Sequence, residues 1–127
     1  MNNLLLIGLG GFMGALLRYG VSGFIQNWSK SLTFPYRTLT LNLIDFLLIG
    51  IFTQLAESKG IFSSEARSFV LIGLLGAFTT ISTFGNETVS LIKEGNDFLS
   101  FANIGLHLVL GLSAVRLGRT IVSIPLN

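Results

Sequence analysis

Four long apolar segments dominate this sequence and leave few folds open to it. They occupy residues 4–25, 38–56, 69–92 and 98–122. A helix needs about 20 mostly apolar residues to cross the hydrocarbon core of a bilayer, so each segment predicts one transmembrane helix. The links between the segments are short and polar, which leaves no room for a water-soluble domain. We therefore expect an all-α protein of the lipid bilayer, in which residues 1–127 form a single four-helix transmembrane domain.

The composition excludes most other classes of protein. Hydrophobic residues make up 50% of the chain and charged residues only 11%, whereas about 25% of the residues of a soluble domain are charged. The net charge of +2 is too small to indicate a nucleic-acid partner. The chain has no cysteine, and no pairing of a nucleophile with a base and no metal-ligand spacing indicates an enzyme. A multi-pass membrane protein without enzymatic activity is the remaining class.

The basic residues do not favour either orientation in the membrane. With four spans, one side of the membrane carries Lys59, Arg67, Arg116 and Arg119, and the other side carries Arg18, Lys30, Arg37 and Lys93. The positive-inside rule therefore has no bias on which to act. Either another signal or a partner sets the orientation, or the chain inserts both ways and pairs with an inverted copy of itself. Because four short spans enclose little interior, the sequence favours the inverted pair.

Small residues recur at helical spacing in the first and third spans. Gly10 and Gly14 form a Gly-x-x-x-Gly motif, and Gly73 and Ala77 repeat the same spacing. Glycine lets the backbones of two helices approach closely. The motif therefore predicts a helix-packing surface, either among the four helices of one chain or between two copies.

A polar stripe runs along the second span. Thr38, Asn42 and Asp45 follow each other at intervals that place their side chains on one face of a helix. The stripe fits either the lining of a permeation pathway or a strip of interhelical hydrogen bonds. Asp45 lies mid-span, where a charge is costly. We therefore expect its carboxyl to be protonated, or paired with an arginine such as Arg18 or Arg116.

Three other polar side chains lie within the spans and need partners there. We expect Arg18 and Glu87 to act as structural ion pairs or hydrogen-bonded anchors, because each lies near the end of a span. His107 is expected to make a hydrogen bond between helices.

The third span carries the densest pattern. Four hydroxyl residues lie in mid-membrane, between Gly76 and Gly85: Thr79, Thr80, Ser82 and Thr83. A hydroxyl can satisfy a backbone group that a broken helical turn leaves free, and unwound carbonyls are ligands for a small cation. Phe84 adds a ring whose edge is electropositive and can face an anion. The alternative is a plain helix with the hydroxyls bonded to preceding carbonyls, but so dense a cluster favours a break.

These motifs resemble those of the Fluc family of small fluoride channels, also called CrcB, over essentially the whole chain. The matching patterns are Gly10-Gly11-x-x-Gly14-Ala15-x-x-Arg18-Tyr19, Thr38-Leu39-x-x-Asn42 and Thr79-Thr80-x-Ser82-Thr83-Phe84-x-x-Glu87. The third pattern is the most specific. Gly118 and His107 fit the family's fourth span more weakly.

The resemblance implies a channel that lets fluoride leave the cytoplasm passively across the plasma (inner) membrane. It implies an antiparallel, dual-topology homodimer with two pores and a third helix broken in mid-membrane. It also implies a structural sodium ion at the dimer centre, held by the backbone carbonyls of Gly76 and Thr79 of each subunit.

The resemblance also assigns roles to side chains. Asn42 and Phe84 would line the fluoride pore, with Thr38, Ser82, Thr83 and Glu87 on or beside the path and Ile81 at the position of a second pore phenylalanine. Arg18 would be a structural or vestibule cation, and Gly10 and Gly14 would be structural.

The sequence departs from the family pattern at several positions, which keeps other functions open. Ile81 replaces a pore phenylalanine, Arg37 and Asp45 replace glycines, and Gly111 stands where serine is frequent. One alternative is a proton-coupled small multidrug-type transporter, which needs a membrane carboxylate. Another is one subunit of an obligate heterodimeric fluoride channel, in which a partner keeps a pore intact. A third is an accessory subunit of some other pore.

Overall fold

A computed structural model describes residues 2–28 and 34–124 of the chain. Lys30, one of the basic residues counted above, lies outside the described residues. Four helices are long and apolar enough to cross a membrane, and the described residues contain no strand. The predicted spans lie within these helices, and the prediction of an all-α membrane protein with four transmembrane helices is confirmed.

The spans divide into six α-helices and one π-helical stretch. These are α1 (Asn3–Trp28), α2 (Tyr36–Lys59), α3 (Ser64–Arg67), the π-helical stretch (Ser68–Leu75), α4 (Gly76–Phe78), α5 (Ile81–Lys93) and α6 (Asp97–Ser123). The first, second and fourth spans are the uninterrupted helices α1, α2 and α6. The third span runs from Ser64 to Lys93 and contains all the others.

The third span is broken at Thr79 and Thr80. Thr79 is extended, with φ −69° and ψ 151°, and Thr80 has φ −135° and ψ 49°. Neither residue continues the helix, so α4 ends at Phe78 and α5 begins at Ile81. The break falls within the hydroxyl cluster, and the prediction that the third helix is interrupted is confirmed. The π-helical stretch before the break was not predicted.

Glycines allow the helices to pack in two close pairs. A Cβ atom at Gly10 would collide with the Phe69 carbonyl oxygen, and one at Gly14 would collide with the Leu74 carbonyl oxygen, so α1 lies directly on the third span. In the same way, α2 and α6 meet at Gly50 and Gly118. The face of α1 that carries Gly10 and Gly14 is therefore occupied within one chain, and a second copy cannot use it.

The interior of the four-helix unit is polar as well as apolar. The most completely buried side chains are Asn103, Thr38 and Ser100, at 0%, 1% and 1% exposure. Large apolar side chains lie outside instead, such as Phe12 at 65% and Phe101 at 71%. Water-soluble proteins show the opposite distribution, with apolar side chains inside and polar side chains outside. The difference follows from the bilayer, because lipid accepts apolar groups while polar groups must find partners inside.

Candidate functional site

Asn42 on α2 contacts the break in the third span. Its Oδ1 accepts hydrogen bonds from the Thr80 backbone N–H at 3.1 Å and from the Thr80 hydroxyl at 2.8 Å. In an unbroken helix, the Thr80 N–H would donate to the Gly76 carbonyl. Asn42 supplies the replacement acceptor, so the cost of an unpaired backbone group in the membrane is avoided.

The other end of the Asn42 amide meets α6. Its Nδ2 lies 3.1 Å from Nε2 of His107, and Nδ1 of His107 lies 2.9 Å from the Asn103 carbonyl oxygen. The His107 ring also contacts the Phe84 ring, with 4.2 Å between their centres. The interhelical hydrogen bond expected of His107 is therefore present, and one buried cluster joins α2, α5 and α6.

Thr38 and Glu87 form a second interhelical contact, one turn of α2 away from Asn42. The Thr38 hydroxyl donates to Oε1 of Glu87 at 2.8 Å, and Nη2 of Arg37 lies 3.9 Å from the same oxygen. Oε2 of Glu87 is buried and has no hydrogen-bond partner among the described residues. Within one chain, Thr38 and Asn42 thus both serve as interhelical hydrogen-bonding groups.

Two cavities adjoin the contact between Asn42 and Thr80, one lined by Thr80 and the other by Asn42. The larger, of about 560 Å³, is lined by Arg18, Tyr19, Arg37, Thr38, Thr80, Ser82 and Thr83, among others. The smaller, of about 190 Å³, is lined by Asn42, Phe46, Thr79, Ile81, Phe84, Ile104, His107 and Leu108. The larger cavity is basic and hydroxyl-rich, whereas the smaller is mostly aromatic and aliphatic. Of the residues named for the pore, Ile81 is exposed, at 68%, and Ser82 is exposed as well.

The break leaves backbone carbonyls available at the positions named for sodium. Because the Thr80 N–H donates to Asn42, the Gly76 carbonyl loses its helical partner, and the extended Thr79 starts no helical turn of its own. Carbonyl oxygens are suitable ligands for a hard cation. The described residues contain no cluster of three or more acidic or histidine side chains that could hold a metal ion.

Asp45 lies one turn beyond Asn42 and has no charged partner among the described residues. Its Oδ1 is buried without a hydrogen bond among the described residues, and the Thr79 side chain is its hydrogen-bonding neighbour. Among the ion pairs of the described chain, none joins it to Arg18 or Arg116. The expected arginine partner is therefore not found within one copy, which leaves the protonated carboxyl as the alternative for a single chain.

Three buried residues of the cluster were missed in the sequence. Asn103 donates from Nδ2 to the Thr88 hydroxyl at 3.0 Å, and the Ser100 hydroxyl donates to the Thr88 carbonyl at 3.2 Å. A pattern that could have revealed two of them is the helical spacing of Ser100 and Asn103 with His107, which places three polar groups on one face of α6. Thr88 lies on α5 and has no part in that pattern.

Comparison with known proteins identifies the family of this chain. A family model described as CrcB-like protein, Camphor Resistance (CrcB), matches residues 5–119. The chain is 42% identical over 121 residues to the fluoride-specific ion channel FluC 3 of Methanosarcina barkeri, which covers 95% of this chain and 90% of that protein. It is 45% identical over 123 residues to the fluoride-specific ion channel FluC of Shewanella loihica, which covers 96% and 97%. The resemblance seen in the motifs is confirmed, and the chain belongs to the CrcB family.

Proposed function

We propose that this multi-pass membrane protein is a passive, fluoride-selective ion channel that lets fluoride leave the cytoplasm. Relatives that match nearly the whole chain are named fluoride-specific ion channels, and the four apolar helices supply the membrane domain that such a channel requires. The protein is a channel and not an enzyme. The membrane we propose for it is the plasma membrane, where an anion leak would lower the fluoride load of the cell.

The observation that carries the proposal is the cluster of neutral donors at the break. Asn42, Ser82, Thr83 and the ring edge of Phe84 lie beside the two cavities. An ion that gives up part of its hydration shell needs hydrogen-bond donors in its place, yet it must not be trapped. Amide and hydroxyl groups meet both needs better than a fully charged lysine or arginine. His107 uses one N–H of the Asn42 amide, and we assign the second N–H to fluoride.

We assign the remaining positions by the same reasoning. Thr38 and Glu87 lie beside the path, and Ile81 takes the place of a second ring, so that each pore has one aromatic edge fewer. Arg18 and Arg37 line the larger cavity, where positive charge raises the local concentration of an anion. The larger cavity is therefore the vestibule, and the smaller one is the narrow part of the pathway.

The assembly we propose is an antiparallel homodimer with two equivalent pores. The even division of the basic residues supports insertion in both orientations. The outward face of α1 is apolar and uncovered in a single chain, because Phe12, Leu16 and Phe24 are 65%, 56% and 70% exposed. A second copy or lipid must therefore cover it. In this dimer, a sodium ion at the centre would be held by the Gly76 and Thr79 carbonyls of both copies.

The experiment that tests the function is anion efflux from liposomes that contain the purified chain. Fluoride and chloride electrodes record release after a potassium ionophore is added to balance charge. We expect fast fluoride release and chloride release at the rate of protein-free liposomes. Equal release of both anions would contradict fluoride selectivity. An inactive chain that becomes active only with a second, different subunit would favour the obligate heterodimer.

A further inference from the structure

The orientation of the Asn42 amide is fixed by its contact with the break. The backbone N–H of Thr80 can only donate, so the Asn42 atom that faces it at 3.1 Å is the carbonyl oxygen Oδ1. The amide nitrogen therefore faces His107, at 3.1 Å from Nε2. Turning the amide over would place its N–H groups against the Thr80 N–H and leave both buried donors unpaired.

The same reasoning fixes the proton on His107. Nδ1 lies 2.9 Å from the Asn103 carbonyl oxygen, which can only accept, so Nδ1 carries a hydrogen. Nε2 faces the Asn42 amide N–H, which can only donate, so Nε2 carries none. The ring is therefore a neutral imidazole with its hydrogen on Nδ1. Any form with a hydrogen on Nε2 would point one donor at another.

We propose that His107 is a positioning residue for fluoride conduction, which it supports as the neutral Nδ1–H tautomer. The ring holds the Asn42 amide so that its oxygen faces Thr80 and one of its N–H groups stays free for the anion. The ring also packs against Phe84 at 4.2 Å between centres, which limits the rotation of that side chain. The part of this inference that concerns conduction rests on the proposed function, whereas the tautomer does not.

A chain of hydrogen bonds from α6 through α2 to the third span stabilises the break. Asn103 on α6 orients the ring, the ring orients Asn42 on α2, and Asn42 holds the Thr80 N–H away from the Gly76 carbonyl. Loss of the Nε2 acceptor would leave the amide held only through its oxygen, by Thr80. Its N–H groups would then no longer be held in the place that we assign to fluoride, although Asn42 itself would still be present.

The tautomer can be measured on the wild-type protein, because His107 is its only histidine. We would label the histidine with ¹⁵N, prepare the dimer in detergent micelles near neutral pH, and record the two ring nitrogens by NMR. Couplings to the ring C–H protons identify each nitrogen, and the chemical shift shows which one carries the hydrogen. We expect hydrogen on Nδ1 only, although free imidazole side chains prefer Nε2. Hydrogen on Nε2, alone or together with Nδ1, would overturn the proposal.

Two amide variants test the link to conduction. In His107→Gln, the side-chain amide reaches the place of Nε2 and can accept from Asn42, whereas in His107→Asn it reaches only the place of Nδ1. We expect fluoride efflux within about threefold of wild type for His107→Gln and a loss of about tenfold or more for His107→Asn. Size-exclusion chromatography checks that both variants form the wild-type assembly.

The outcomes separate this inference from the proposed function. Equal efflux from the two amide variants would overturn the positioning role. If neither variant assembles, the NMR result on the wild-type protein decides. A wild-type protein that shows the Nδ1–H tautomer but conducts no fluoride would contradict the proposed function and leave the hydrogen-bond assignment standing.

Discussion

Polar side chains in the membrane interior of this protein pair across helices. Thr38 binds Glu87, Asn42 binds Thr80 and His107, and Thr88 binds Asn103. Such pairing is expected, because an unpaired polar group in hydrocarbon costs several kcal/mol. Among the described residues, the buried side-chain oxygens without a partner belong to Asp45, Glu87 and Asn103. The exceptions thus lie in or next to the cluster that surrounds the break.

Replacement of Asn42 by leucine should impair both conduction and stability. The Thr80 N–H loses its acceptor, which costs about 1–3 kcal/mol of unfolding free energy, and the pathway loses a donor. We expect fluoride efflux to fall about tenfold or more. Thr80→Val is the matched control, since it removes only the hydroxyl from the same contact. Wild-type efflux from Asn42→Leu would rule out its place in the pathway.

Replacement of Phe84 by alanine should reduce flux while the dimer stays intact. The ring edge leaves the pathway, and we expect a loss of about tenfold in the initial rate of efflux, which corresponds to about 1.4 kcal/mol in the barrier. Phe101→Ala serves as the control, because this ring is 71% exposed on the outside of α6. If both variants conduct like the wild type, Phe84 does not line the pore.

Replacement of Asp45 by asparagine should leave the assembly intact and the fluoride flux equal or higher. A neutral amide keeps the size of the side chain, can still bond to Thr79, and cannot repel an anion. Efflux of fluoride and size-exclusion chromatography of the purified protein are the measurements. A large loss of flux with an intact dimer would show that the carboxyl itself takes part in transport, as a proton-coupled transporter would require.

The helices owe their arrangement to glycines at the points of closest approach. The sequence motif Gly10-x-x-x-Gly14 predicted a packing surface but left its partner open, because spacing alone cannot distinguish contacts within a chain from contacts between chains. The structure places the partner in the third span of the same chain, around Gly73 and Ala77. The α2–α6 pair at Gly50 and Gly118 follows the same principle.

Replacement of Gly14 by alanine should destabilise the protein. The added methyl group would collide with the Leu74 carbonyl and push α1 away from the third span, at a cost of about 1–3 kcal/mol. Gly8→Ala is the matched control on the same helix, since nothing lies within 4 Å of its Cβ position. Thermal unfolding of the two variants in detergent measures the difference. Equal midpoints would contradict the packing described for α1.

The sequence predicts the four helices and the break better than it predicts the π-helical stretch or the hydrogen bonds between helices. Apolar length alone indicates the four spans, and the dense hydroxyls at Thr79–Thr83 indicate the interruption. The π-helical stretch Ser68–Leu75 has no such pattern, because most of its residues are apolar and an apolar run does not distinguish a π-helix from an α-helix. The hydrogen bonds of Asn103 and Ser100 were also beyond prediction, since they depend on how α5 and α6 rotate against each other.

At the scale of the whole molecule, one chain leaves much of its membrane helices uncovered. In an 18-residue apolar stretch of α1, only 11% is buried within the chain. This exposed surface is available to lipid and to a second copy, and apolarity alone does not distinguish them. The balance of basic residues is therefore the main argument for inverted pairing.

Labelling of the turn between α5 and α6 tests the orientation. The chain has no cysteine, so Glu94→Cys provides one reactive thiol in this exposed turn. In sealed vesicles, an impermeant maleimide should label about half of the chains from outside, and the rest only after permeabilisation, because unbiased insertion gives both orientations. Labelling that is complete, or absent, before permeabilisation would contradict the inverted homodimer.

The central claim is that fluoride crosses this protein passively, and one flux measurement tests it most directly. Liposomes with equal fluoride and equal pH on both sides receive a potassium diffusion potential of either sign, and a fluoride electrode records net movement. A passive channel moves fluoride toward the positive side and reverses direction with the potential. Movement that ignores the potential, and appears only when a pH gradient is imposed, would contradict the claim.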